Sequence, residues 1–140
     1  MIYLDASIVV AVFTAEAETA RLQQRIDGKG GEAIAVSRWV DVEFAAAIAA
    51  KSRAGALDEP IRKKSLQLYR QALRESFTRL EIGDRQFEHA ERLAQNPAAG
   101  LRGGDALHLA VAAAHRATLC TLDKRQAEAA STLGIGFELV

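Results

Sequence analysis

Four acidic residues, Asp5, Glu43, Asp105 and Asp123, are placed along the sequence where they could do chemistry together. Asp5 follows the short apolar run Ile2 to Leu4, Asp123 follows the run Thr118 to Leu122, and Asp105 opens a helical stretch leading into that second run. Glu43 is informative for a different reason. On a helix from Arg38 its neighbours three and four positions away are Trp39, Val40, Ala46 and Ala47, whereas Asp41 neighbours Ser37 and Arg38. This spacing predicts Glu43 on the apolar stripe and Asp41 on the polar side. A buried carboxylate needs a basic partner, a proton or a cation, because burying it ionised and alone is costly. Four clustered carboxylates without basic partners at adjacent positions would repel one another and raise one another's pKa. A divalent cation relieves that repulsion. Hard oxygen ligands suit Mg²⁺ or Mn²⁺, while one cysteine and three histidines in the whole chain disfavour zinc. Such a centre hydrolyses a phosphodiester: the cation acidifies the attacking water, and it, or a second ion roughly 4 Å away, stabilises the leaving 3′ oxygen.

Each residue also has a purely structural reading. Asp5 and Asp105 suit helix N-caps, and Asp123 with Gln126 three residues later matches a capping box. Glu43 would need a buried ion pair, with Arg38 or Arg102 as candidates. Ser7 and Thr121 are placed to hold a neighbouring carboxylate or a water, or to satisfy local backbone groups. His108 lies one turn after Asp105 on the same helix face, within reach of the site, although a lone histidine is more often structural. Gly103-Gly104 allows close backbone approach and presents a helix N-terminus to a phosphate. It is no NTPase loop, since G-x-x-x-x-G-K-[ST] does not occur.

The elements that must position these residues alternate. Ile2 to Leu4 reads as a strand, followed by a helix to about Thr14 and a second helix from Glu16 to Ile26, stopped by Asp27-Gly28-Lys29-Gly30-Gly31. Ala33 to Val36 reads as the second strand. Ser37 is suited to cap a helix to about Arg53, and Asp58-Glu59-Pro60 starts another, with Leu66, Tyr69 and Leu73 on its buried stripe. A strand from Arg79 to Ile82, a helix from Asp84 to Ala94, a helix from Asp105 to His115, a strand from Thr118 to Leu122, a helix from Lys124 to Leu133 and a last strand from Gly136 to Val140 complete the pattern. Alternation of this kind, with continuous apolar strands, predicts a three-layer α/β/α fold around a mostly parallel sheet. In such a sheet ligands bind beyond the carboxyl ends of the strands, where strand order reverses. Asp5, Asp105 and Asp123 are expected there.

Composition sets the outer bounds. At 140 residues, 49% apolar and 26% charged, the chain reads as one globular domain spanning residues 1–140. No apolar stretch approaches the ~20 residues that span a bilayer, and the start shows no secretory signal, so the expected compartment is the cytoplasm. Cys120 has apolar neighbours and reads as a packing residue. Formal net charge is zero, which argues against a general nucleic-acid binder. Basic residues nevertheless outnumber acidic ones by eight to three between Lys51 and Arg79, either as a phosphate-facing surface or as a solvated, charge-paired helix face.

MIYLDAS at the start, VEFAAAIAAK around Glu43, GGDALHLAVA around Asp105 and TLCTLDK around Asp123 together resemble PIN domains, and their spacing over the chain is similar to that of the VapC toxins. By that resemblance Asp5, Glu43, Asp105 and Asp123 match the family's acidic metal-binding positions, and Thr121 matches a hydroxyl residue often seen beside the last one. The resemblance implies a Mg²⁺- or Mn²⁺-dependent endoribonuclease, commonly a homodimer, neutralised by a small VapB-like antitoxin that alone contacts operator DNA. It further implies an antitoxin groove on the early helices, where Ile8, Val9, Val12, Phe13 and Trp39 are candidate contacts or else core. Some members carry another acidic residue just after the last motif aspartate, where this chain has Lys124 and Arg125, so the choice between one ion and two stays open. Three rivals stand beside this reading. A noncatalytic PIN scaffold would be expected to have lost acidic positions, and a dehalogenase-like phosphotransferase would show D-x-D where Asp5 is followed by Ala6-Ser7. A PIN nuclease of RNA processing without antitoxin has the same sequence features as a toxin.

Overall fold

In the computed structural model, which describes residues 1–14, 19–28 and 30–140, the chain opens with strand β1 (Ile2–Leu4), all three residues buried. β1 lies at the centre of a five-stranded sheet whose order is β3-β2-β1-β4-β5. The other strands are β2 (Ile34–Ser37), β3 (Phe77–Leu80), β4 (Thr118–Thr121) and β5 (Phe137–Leu139), and every pairing is parallel. Parallel strands need crossover connections, and the helices supply them while covering the sheet faces. The expected three-layer α/β/α architecture is therefore present, and its sheet is wholly parallel.

Two helices descend from β1. Helix α1 (Ala6–Phe13) buries Ile8, Val9, Ala11 and Val12, and its first turn is capped by Asp5, whose carboxylate accepts from the Ile8 N–H at 3.1 Å. Helix α2 (Thr19–Asp27) follows; the expected start at Glu16, and Lys29 of the glycine-rich turn, lie outside the described residues. Of the two readings open for Ile8, Val9 and Val12, antitoxin contacts or core, the second holds, since all three are buried in the hydrophobic core. Phe13 is half-buried, with its ring against those of Phe44, Tyr69 and Phe77.

Helix α3 (Arg38–Arg53) buries Val40, Phe44 and Ile48, one residue per turn, and α4 (Glu59–Glu75) packs beside it with Tyr69 against Phe44. Pro60 sits in the first turn of α4, where no amide donor is needed, and Asp58 caps it through the Ile61 N–H at 2.9 Å. β3 begins two residues earlier than the sequence suggests. Its register is fixed by pairing Ile34 with Phe77 and Ser37 with Leu80, so Phe77 and Thr78 join the sheet and Glu81 and Ile82 leave it.

Helix α5 (Asp84–Ala94) has Gly83 at its N-cap, and the Gly83 N–H donates to Gln86 Oε1 at 2.9 Å. A single 3-10 turn (Pro97–Ala99) leads to α6 (Gly103–His115), in which every residue from Ala106 to Ala112 is buried. α6 starts two residues before Asp105, which therefore stands in its first turn instead of at the N-cap. Helix α7 (Lys124–Thr132) is capped by Asp123 and leads to β5. Buried apolar side chains contribute roughly 1.5–3 kcal/mol each, and the central layer of Tyr3, Leu4, Val36, Leu109 and Leu119 is almost wholly excluded from water. No helix of the described residues is long and apolar enough to cross a membrane.

Candidate active site at the switch point of the sheet

Strand order runs β1, β2, β3 to one side and β4, β5 to the other, so the direction of winding reverses between β1 and β4. Asp5 and Thr121 face each other across that gap. Leu4 is in register with Cys120, and the Asp5 N–H donates to the Cys120 carbonyl at 3.2 Å. One step further, the Thr121 hydroxyl donates to Asp5 Oδ2 at 2.6 Å. The Ser7 hydroxyl donates to Asp5 Oδ1 at 2.6 Å and accepts from the Leu122 N–H at 3.0 Å. Thr121 Oγ1 in turn accepts from the Asp123 N–H at 2.9 Å. Ser7 and Thr121 thus join Asp5 to the Leu122–Asp123 loop through two hydroxyl bridges.

Asp5 is 4% exposed, and among the described residues no lysine or arginine pairs with it. Burial pushes its carboxyl above the ordinary carboxylate range, against the opposing pull of the His108 imidazole and of the donors Ser7, Thr121 and Ile8. Three neutral donors orient both oxygens without cancelling the charge. Asp123 is less enclosed; its Oδ1 caps α7 by accepting from the Arg125 and Gln126 N–H groups at 2.8 and 3.3 Å. The reciprocal half of the expected capping box is missing, because the Asp123 N–H goes to Thr121 and Gln126 Oε1 is buried without a partner among the described residues.

Glu43 comes from the second turn of α3. Its side chain is 30% exposed, so it flanks the buried stripe of Val40, Phe44 and Ile48 rather than lying on it as the spacing suggests. Its partner is neither Arg38 nor Arg102. Glu43 Oε2 lies 2.7 Å from His108 Nε2, and the other ring nitrogen, Nδ1, lies 2.8 Å from the Tyr3 hydroxyl, itself 2.8 Å from Ser37 Oγ. Ser37 heads α3 but makes no side-chain cap, because its hydroxyl is spent on Tyr3. Ser37, Tyr3 and His108 are buried, and burial raises the Tyr3 pKa, with the neighbouring charges of Asp5 and Glu43 adding to it. Tyr3 and His108 thus sit electrostatically between Asp5 and Glu43.

Gly104 closes this side of the site. A methyl group at that position would stand 3.0 Å from Glu43 Oε1 and 3.2 Å from Trp39 Nε1, whereas one at Gly103 would meet nothing. The bare backbone at 104 therefore lets Glu43 and the Trp39 indole approach the start of α6. Trp39 Nε1 is buried and has no hydrogen-bond partner among the described residues, which leaves an unused donor beside the site. Asp105 follows directly, and its Oδ2 accepts from the Arg102 N–H at 3.2 Å.

The structure thus links Asp5 to Asp123 and sets Glu43 beside Gly104, next in sequence to Asp105. Among the described residues, no three His, Cys, Asp or Glu side chains are grouped closely enough to hold a metal ion as placed. The donor set nonetheless fits a hard divalent cation: all four candidates are carboxylates, and Asp5 is buried with its charge uncompensated by any lysine or arginine among the described residues. Glu43, Asp105 and Asp123 each keep one oxygen without a hydrogen bond among the described residues. The histidine pairing of Glu43 is what the sequence reading missed. The signal available was a carboxylate predicted among apolar neighbours together with a histidine on the face of the Asp105 helix.

Comparison with known proteins places the fold. Three solved structures share the fold: VapC20 of Mycobacterium tuberculosis, described as a sarcin-ricin loop cleaving toxin (15% identity, TM-score 0.69, covering 92% of this chain and 95% of that one); VapBC2 of Rickettsia felis bound to a DNA fragment from its promoter (17%, 0.69, 99% and 98%); and PAE2754 of Pyrobaculum aerophilum (22%, 0.67, 92% and 84%). No curated protein sequence matches significantly. The PIN domain model matches residues 2–131, nearly the whole length and a span that includes Asp5, Glu43, Asp105 and Asp123, and the chain belongs to the PIN domain family.

Proposed function

We propose that this protein is a Mg²⁺- or Mn²⁺-dependent endoribonuclease, folded as one PIN domain, that acts in the cytoplasm as the toxin of a VapBC-type toxin–antitoxin pair. The observation that carries the nuclease reading is Asp5: a carboxylate buried at the switch point, oriented by three neutral donors and without a lysine or arginine partner among the described residues. Asp5, Glu43, Asp105 and Asp123 would hold the cation. When bound, the ion supplies acidity for the attacking water and positive charge for the phosphate and leaving 3′ oxygen. Ser7 and Thr121 fix both oxygens of Asp5, so that its charge points one way. The N-terminus of α6 at Gly103-Gly104 favours the phosphate anion.

The toxin assignment draws on what the structural relatives are: one is named as an RNA-cleaving toxin, and another is a toxin–antitoxin complex on promoter DNA. A VapB-like antitoxin would lie in the groove between α3 and α4, lined by Phe44, Leu66, Tyr69 and Leu73 with Arg38 and Arg70 at its side. Operator DNA would be contacted through that antitoxin, and the active form would be a homodimer. The basic stretch from Lys51 to Arg79 contributes less free charge than the sequence suggests, since Arg62 and Lys63 pair with Glu59 and Arg79 pairs with Asp41. The test is incubation of purified protein and an Asp5→Asn variant with total RNA, with Mg²⁺, Mn²⁺ or chelator. Cleavage by the wild type alone, abolished by chelator, is expected; cleavage by both proteins, or cleavage indifferent to chelator, overturns the reading.

A further inference from the structure

The hydrogen-bonded chain Ser37–Tyr3–His108–Glu43 ties together β2, β1, α6 and α3, and its groups have one consistent proton arrangement with neutral histidine. A carboxylate only accepts, so His108 Nε2 carries the hydrogen and donates to Glu43 Oε2 across 2.7 Å. In the neutral ring Nδ1 then has a lone pair, and the Tyr3 hydroxyl donates to it across 2.8 Å. Ser37 Oγ–H donates to the Tyr3 oxygen across 2.8 Å, completing the series. Tyr3, Ser37 and His108 are at most 3% exposed, so water does not compete for these partners. Packing fixes the ring as well, since the Tyr3 and His108 centroids are 5.7 Å apart.

From this geometry we infer that Tyr3 and His108 are positioning residues for Glu43. Tyr3 fixes the His108 tautomer, and His108 holds Glu43 Oε2, leaving Oε1 directed at Gly104 where the α6 N-terminus and Asp105 begin. A glutamate has three rotatable side-chain bonds, and this one is partly exposed; without the imidazole it would sample rotamers that carry Oε1 away from the site. The device on Glu43 is analogous to the hydroxyl bridges that hold Asp5. Partners that orient a ligand carboxylate typically govern metal affinity by about 10- to 100-fold.

The inference rests on the nuclease reading, and its test separates the two. Mn²⁺ affinity is measured by calorimetry, and RNA cleavage alongside it, for the wild type and for Tyr3→Phe, His108→Leu and His108→Gln, with circular dichroism and thermal midpoints as the check on folding. His108→Leu should weaken Mn²⁺ binding by roughly 10- to 100-fold. His108→Gln, whose amide N–H can stand where Nε2 stood, should recover a large part of that loss, and Tyr3→Phe should fall between the wild type and His108→Leu. A merely structural histidine predicts the opposite separation, with lowered thermal midpoints, unchanged Mn²⁺ affinity and no rescue by glutamine. Wild-type protein that binds Mn²⁺ while His108→Leu and Tyr3→Phe, both folded, bind it equally well overturns the inference alone. If the wild type neither binds Mn²⁺ nor cleaves RNA, both readings fall. Should His108→Leu fail to fold, the comparison of Tyr3→Phe and His108→Gln with the wild type decides, equal affinities in all three overturning the inference.

Discussion

Two aspartates in this molecule are treated in opposite ways. Asp41, on α3, accepts from the Tyr69 hydroxyl at 2.7 Å and pairs with the Arg79 guanidinium, so its charge is met by a cation of the protein itself. Asp5 is buried more deeply, accepts from two hydroxyls and one backbone N–H, and has no lysine or arginine beside it among the described residues. A carboxylate whose task is to join α3 to β3 and α4 is stabilised by supplying the opposite charge. Orienting a carboxylate with neutral donors keeps its charge available, at a cost to the fold, for a cation from outside. That contrast distinguishes a structural acid from a candidate ligand more sharply than burial does.

Substitutions that break the contrast should be ranked accordingly. The largest effect is expected at Asp5 itself. If Asp5 is the ligand proposed above, Asp5→Asn removes a charge worth several kcal/mol of transition-state stabilisation, so RNA cleavage should fall by about a thousandfold or more, whereas Asp41→Asn should stay within a few-fold of the wild type. Single-turnover cleavage rates on one RNA compare the two directly. Gly104→Ala comes next. The new methyl would displace Glu43 Oε1 or the Trp39 ring by a few tenths of an ångström, and a displacement of this kind should reduce cleavage by roughly tenfold, with Gly103→Ala as the partner substitution that meets no atom and leaves the thermal midpoint unchanged or higher.

Smaller effects sharpen the structural side. Asp41→Asn leaves Arg79 without its carboxylate and should lower stability by about 1–2 kcal/mol, read from chemical denaturation. Tyr69→Phe removes one hydrogen bond to Asp41 and should lower it by about 1 kcal/mol. Metal-free Asp5→Asn, by contrast, relieves a buried uncompensated charge and should be more stable than the wild type by about 1 kcal/mol, with the same denaturation curve as the measurement.

How much of this was legible in the sequence depends on the range of the interaction that decides each feature. Periodicity and turn residues predicted the alternation of strands and helices and the placement of Asp5 and Asp123 at strand ends, because those features are local. β3 was displaced by two residues because its limits are set by register with β2, some forty positions away in the chain. Ser37 has the residue type of a cap, yet its hydroxyl is claimed by Tyr3 from the neighbouring strand. Glu43 was expected to need a partner, and it has one, but arginine was the wrong choice: His108 is 65 positions distant and reaches it only once α6 packs across the sheet. Helical spacing likewise placed Glu43 on the apolar stripe, although α3 turns its Val40, Phe44 and Ile48 edge inward and leaves Glu43 at the margin.

On the proposed function, the charge left uncompensated around Asp5 serves to take up a divalent cation. The most direct test of this is a Mn²⁺ titration of wild type, Asp5→Asn and Asp41→Asn, followed by the thermal midpoint, since a ligand that binds only the native state raises it with concentration. The wild type and Asp41→Asn should both rise with Mn²⁺, the latter from a lower start, while Asp5→Asn should start higher and stay flat. A wild type that does not respond, or an Asp5→Asn variant that responds as the wild type does, would contradict the account.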